Sequence, residues 1–99
     1  MRIFGRPEEK LRRYASARKP YAAWELTAKE SEWHSFAEIR EVRTDADLVG
    51  DCCVFDLGGN NYRLITHIRY ATSHDEGVVD VVDLLTHAEY DKGTWKKEC

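Results

Sequence analysis

The periodicity of this chain changes once, at Cys52. Before it, apolar side chains recur at helical spacing. From it onward they alternate, so a helical half is followed by a stranded half. Cys53, Phe55 and Leu57 share one face of a strand, and Gly58-Gly59-Asn60-Asn61 turns the chain, asparagine being tolerant of positive φ. The next strand places Tyr62, Leu64, Thr66, Ile68 and Tyr70 on one side, with Arg63, Ile65, His67 and Arg69 on the other. Residues 71–77 are a hydrophilic hairpin loop, and 78–85 form the β-branched run best suited to a strand. Helices first and hairpin-connected strands afterwards predict an α+β fold. An N-terminal helical pair packs on a small, twisted, antiparallel sheet of three or four strands.

The helical half has its own punctuation. Arg2 to Phe4 make a short strand ended by Gly5, and Pro7 suits a first helical position, with Glu8 and Glu9 at the positive end of the dipole. A helix over 7–18 then carries Leu11, Tyr14 and Ala15 on one face. Pro20 breaks it and opens a second helix over 20–33, whose core contacts are Tyr21, Trp24 and Ala28. Ser35 and Glu38 match a capping box for a short third helix. Residues 44–51 are mostly polar and read as a loop.

At 99 residues, with no repeats and eleven aromatics, the chain is expected to be one folded domain, residues 1–99. No apolar run is long enough for a membrane helix and the first residues lack a secretory pattern, so a soluble, cytoplasmic protein without membrane contact is expected. The adjacent Cys52 and Cys53 and the distant Cys99 form no Cys-x-x-Cys clamp and no disulfide framework. They fit a reducing compartment, with Cys53 as a small buried hydrophobe. His34, His67, His74 and His87 lack metal-ligand spacing, and no glycine-rich phosphate loop or nucleophile elbow is present. Neither metal nor cofactor is expected.

The net charge of −3 averages over an uneven distribution: +5 in residues 1–20, −2 in 21–44 and −6 in 45–99. The basic first helix, with Arg12 and Arg13, is either a footprint for phosphate or a solvated face. Arg63, His67 and Arg69 lie on one sheet face, a possible anion site or an ordinary charged surface. The tail Thr86-His87-Ala88-Glu89-Tyr90-Asp91-Lys92 is densest in reactive side chains. There His87 can act as general acid or base, Glu89 or Asp91 can orient it, and Tyr90 and Lys92 can steady a substrate phosphate.

Two motifs, Gly58-Gly59-Asn60 with Arg63-Leu64 and Thr86-His87 with Glu89-Tyr90-Asp91, resemble the HigB family of toxins from bacterial toxin–antitoxin pairs, and the likeness runs through nearly the whole chain. That family is similar to RelE toxins, small α+β proteins whose sheet cradles RNA. The resemblance implies an mRNA interferase that cuts message by metal-free attack of the 2′-hydroxyl on the adjacent phosphate, usually in the ribosome. It also implies a helix-turn-helix, HigA-like antitoxin, through which alone operator DNA is met. Carried over by motif, His87, Arg63, Tyr90 and Lys92 are the catalytic set, and Arg69, His67, Arg12 and Arg13 the RNA contacts. Val82 and Asp83 stand where relatives often carry a cation before the histidine. Two alternatives share the scaffold: a toxin that binds a protein target such as DNA gyrase, as ParE relatives do, and a degenerate, inactive toxin.

Overall fold

The computed structural model describes residues 1–99. Strand β1 (Arg2–Phe4) leads into helix α1 (Glu8–Arg13), a 3-10 turn (Ala15–Ala17), α2 (Arg18–Glu30) and α3 (Phe36–Val42). Strands β2 (Asp47–Val49), β3 (Cys52–Leu57), β4 (Tyr62–Arg69) and β5 (Val78–Thr86) follow, then α4 (His87–Lys92) and a 3-10 turn (Thr94–Glu98). The sheet runs β1-β5-β4-β3-β2, with β1 parallel to β5 and all other pairs antiparallel. The α+β class is as expected, but the sheet is mixed and has five strands.

Several local expectations are corrected. Part of 44–51 is not loop: Asp47–Val49 pairs with Val54–Cys52 as an edge strand, too short for alternation to reveal. The first helix ends at Arg13, because Tyr14 turns out of helical geometry (φ −113°, ψ 82°) and sets its ring 5.8 Å from that of Tyr62. Pro20 does not open α2 but sits in its first turn, where a missing N–H costs nothing, and the helix stops at Glu30 rather than 33. In α3 the capping box is only half made. Ser35 Oγ accepts from the Glu38 N–H at 3.3 Å, while the Glu38 carboxylate takes the His34 N–H at 2.9 Å. Positive φ in the 58–61 turn falls on Gly58 and Gly59, so neither asparagine is needed for a left-handed backbone.

The main core lies between the helices and one sheet face. Tyr21, Trp24 and Ala28 of α2 are fully buried with Ile39, Phe55, Leu64 and Leu84. Trp24 and Trp33 both meet the Phe55 ring, at centroid distances of 5.5 and 6.1 Å. The opposite face carries a smaller cluster, Cys52, Val54, Ile65, Leu85 and Trp95, closed by the 94–98 turn. Both faces are possible because β5 holds one extra residue. Ile65 pairs with Asp83 and Thr66 with Val81, leaving Val82 as a bulge that reverses the strand's alternation. Val79 therefore faces the main core, and so does Leu84 five residues later.

The α3–β2 connection is tied down by Asp45, which accepts two bonds from Arg43 (2.9 and 3.0 Å) and the Asp56 N–H at 2.7 Å. Burial alone would raise this carboxyl, but those bonds outweigh it and its pKa lies below the ordinary value. A depressed carboxylate stabilises the fold above its unfolded pKa, and the contribution disappears as pH falls through the folded value. Asp45→Asn is expected to cost about 1–3 kcal/mol near neutral pH. In urea titrations the gap from wild type should stay constant above about pH 5 and narrow below about pH 4. A gap independent of pH would show that the carboxylate charge is not what holds this connection.

Candidate active site

The expected tail after β5 is a helix. Thr86 ends the strand in register with Tyr62 and also caps α4. Its side chain accepts from the Glu89 N–H (3.2 Å), and the Glu89 carboxylate accepts from the Thr86 N–H (3.0 Å), a complete capping box that the sequence reading missed. The bond to the Thr86 N–H is the largest influence holding Glu89 below its usual carboxylate pKa, with Lys10 adding to it. The His87 N–H donates to Asn61 O at 3.1 Å. Helix α4 is thus anchored to both the strand and the Gly-Gly-Asn-Asn turn, with no loop between.

On α4, His87 and Asp91 are one turn apart, with Nε2 3.2 Å from a carboxylate oxygen and the imidazole half exposed. Tyr90 stacks on Trp95 at 4.8 Å and lies 5.2 Å from the Arg63 guanidinium. Burial raises the Tyr90 phenol above its ordinary pKa despite the opposing Arg63 charge, so it remains a donor at neutral pH. Lys92 is exposed and lines a groove of about 600 Å³ on the sheet face opposite the main core. Lys10, Asp83, Glu89, Trp95, Lys97 and Glu98 also form its walls.

Arg63 is placed differently from an open phosphate fork. It is only 9% exposed, and most of its donors are already engaged. Nε meets Asp56 at 3.1 Å, Nη1 donates to the Asn60 and Tyr62 carbonyls, each at 3.2 Å, and Nη2 donates to Asn60 Oδ1. Asn60 therefore serves to hold this guanidinium.

The remaining RNA-contact candidates do not converge here. His67 Nε2 lies 3.0 Å from Glu98 O, and Arg69 pairs with Asp75 at 3.1 Å. Arg13 pairs with Glu9 on α1. Arg12 borders a second groove of about 390 Å³, which adjoins the first through Lys10, Val82 and Asp83.

Lys10 lies on the basic first helix, where its charge alone marks no site. Its Nζ crosses to β5 and donates to Leu84 O at 2.9 Å, with Asp83 at 3.4 Å and Glu89 at 3.6 Å. A cation from α1 thus stands beside the strand position that holds Val82 and Asp83. A partner 74 residues away leaves no local signal.

An α+β scaffold with helices on one sheet face, and a histidine-bearing helix beside a lysine-lined groove on the other, defines a small protein with a polar site at the end of its sheet. Residues 17–93 match the family model of HigB toxins, described as the RelE-like toxic component of a toxin–antitoxin system. No curated protein matches the chain. The chain belongs to the HigB toxin family, and an antitoxin is its partner by that membership.

The buried bonds of Arg63 make it a structural residue whatever else it does. Arg63→Ala leaves the Asp56 carboxylate and the Asn60 carbonyl without a partner and should lower stability by about 1–3 kcal/mol. A urea midpoint equal to that of wild type would show that these bonds hold nothing.

Proposed function

We propose that this toxin is an endoribonuclease of the mRNA-interferase kind, acting on message at the ribosome and silenced by a helix-turn-helix, HigA-like antitoxin. The reading is carried by one observation: a half-exposed His87–Asp91 pair and a protonated phenol share one helix with a lysine at the groove. These are the groups that phosphodiester transfer needs. The 2′-hydroxyl loses a proton to a base and attacks the neighbouring phosphorus. The 5′-oxygen of the next nucleotide leaves with a proton from an acid, giving a 2′,3′-cyclic end and a 5′-hydroxyl.

His87 takes one of the two proton-transfer roles, its ring oriented by Asp91. Tyr90 donates a hydrogen bond to the phosphoryl oxygens, and Lys92 balances the charge that develops there. Arg63 acts behind them, as a positive charge against the Tyr90 ring. The remaining free N–H of Arg63 is its only route to phosphate. Lys10 supplies the cation that β5 lacks, and with Arg12 it extends the groove toward α1. Arg13, His67 and Arg69 are at most outlying RNA contacts. The charge that develops on the phosphoryl oxygens is met by Lys92 and Tyr90, so this reading invokes no metal ion there.

The charge of the groove favours a second reading. Three lysines face three carboxylates there (Asp83, Glu89 and Glu98), a balance better suited to a protein surface than to a polyanion. A toxin that grips a protein target would then keep the scaffold without the nuclease.

Mapping of transcript ends after brief induction separates the two. The nuclease predicts new 5′ ends within coding regions, lost in His87→Ala, and growth arrest without new ends points to a protein target. With purified toxin added to ribosomes carrying message, His87→Ala should lower cleavage by about 10²–10⁴-fold while leaving the melting temperature of the toxin unchanged. Excess of a zinc-selective chelator that spares magnesium should leave the wild-type rate unaltered. Undiminished cleavage by the variant would remove His87 from the mechanism.

A further inference from the structure

Cys52, His67 and Cys99 are far apart in sequence and meet on the sheet face opposite the main core. Cys52 and His67 are direct cross-strand partners in β3 and β4. Cys99 follows the 94–98 turn, and its sulfur is bonded to that of Cys52, with Cα atoms 5.2 Å apart. This bridge corrects the expectation that the cysteines stand free, which now holds for Cys53 alone. A ring nitrogen of His67 and the two sulfurs all lie within 4.8 Å of one another. A disulfide needs no histidine, so the third donor calls for its own explanation.

We infer that the reduced form of this cluster is a soft-metal site, with the Cys52 and Cys99 thiolates and the His67 imidazole binding a zinc ion. Donor atoms on a tetrahedral zinc lie roughly 3.5–3.8 Å apart, given Zn–S of about 2.3 Å and Zn–N of about 2.0 Å. The cluster is therefore close to the required size. It is also held together by more than the sulfur bond. The Asp51 N–H donates to Cys99 O at 3.0 Å, and the Cys99 N–H donates to Lys96 O at 3.0 Å. At Gly50 a Cβ would stand 2.6 Å from Cys99 O, so only glycine lets the backbones approach this closely. Trp95 is packed into the same face.

The His67 Nε2–H donates to the Glu98 carbonyl, which orients the ring and leaves Nδ1 with a lone pair, the outer-shell arrangement usual for metal-binding histidine. Cys53, on the other sheet face, does not compete. It is buried in the main core.

The two states exclude one another. A dithiol reductant gives two electrons and two protons to the Cys52–Cys99 bond, yielding two thiols and its own cyclic disulfide. Zinc then binds both sulfurs and displaces their two protons to water. His67 is four residues from Arg63 along β4, about 13 Å, so the ion stands apart from the proposed RNA chemistry. Binding is independent of whether the groove cleaves RNA.

Cobalt(II), followed by zinc, tests the site in the full chain. After reduction and anaerobic removal of the dithiol, with free thiols verified by mass spectrometry, the protein should take up one cobalt ion. Sulfur-to-cobalt charge-transfer absorption and the intense visible bands of tetrahedral geometry should appear, and zinc should abolish both. The oxidised protein should show neither. Cys99→Ala and His67→Gln, substitutions at partly exposed positions, should each weaken binding at least roughly 100-fold, since even outer-shell changes cost about 10–100-fold. Cys53→Ala should retain the bands. Absence of charge-transfer absorption in the reduced wild type, or its survival unchanged in Cys99→Ala, overturns the assignment.

Discussion

The extra residue at Val82 determines what each face of the sheet can carry. A strand alternates strictly, so a β5 without the bulge that sent Val79 and Val81 toward the helices would send Leu84 away from them. The bulge restores Leu84 to the main core and turns Leu85 toward Ile65 and Trp95. It also puts Thr86 opposite Tyr62, at the point where the strand stops and the capped helix begins. His87, Tyr90 and Lys92 inherit their positions from that register. One unpaired residue, at the cost of a locally disrupted ladder, gives the protein both a two-sided sheet and a helix fixed at its end.

Charge is organised by pairing rather than by amount. Lys10 stands between Asp83 and Glu89, Arg63 is held by Asp56, and Arg69 by Asp75. The acidic second half of the chain is therefore partly neutralised by its own Arg63 and Arg69 and by cations from the first half, Lys10, Arg2 against Glu76 and Arg43 against Asp45. What the groove offers a visitor is set by the groups left over, chiefly Lys92 and Lys97 against Glu98. A segment count of charge, +5 here and −6 there, cannot see this.

What was legible in the sequence was local. Tyr21, Trp24 and Ala28 are one turn apart on α2, and Cys53, Phe55 and Leu57 alternate on β3; each pattern follows from the geometry of its own element. The motifs around Arg63 and His87 pointed to the family that the matched residues show. The rest depends on register or on distance. The edge strand Asp47–Val49 is too short to show a period, the Val82 bulge is defined only by its partner, and Arg63 looks like a free cation until Asn60 and Asp56 close on it. Residues 52, 67 and 99 have no spacing that a metal motif would recognise. Pairing of β3 with β4, and the return of the chain after α4, bring them together.

That return also couples the cysteine cluster to the helix of His87. The 94–98 turn is one wall of the groove, and Trp95 stacks on Tyr90 while its Nε1–H donates to Tyr90 O at 2.8 Å. The Cys52–Cys99 bond fixes the far end of that turn. Release of the turn would take Trp95 from the face of the Tyr90 ring. It would also open one side of the groove that Lys92 lines. The link between the two regions thus runs through Trp95, stacked on the Tyr90 ring and hydrogen-bonded to the Tyr90 carbonyl.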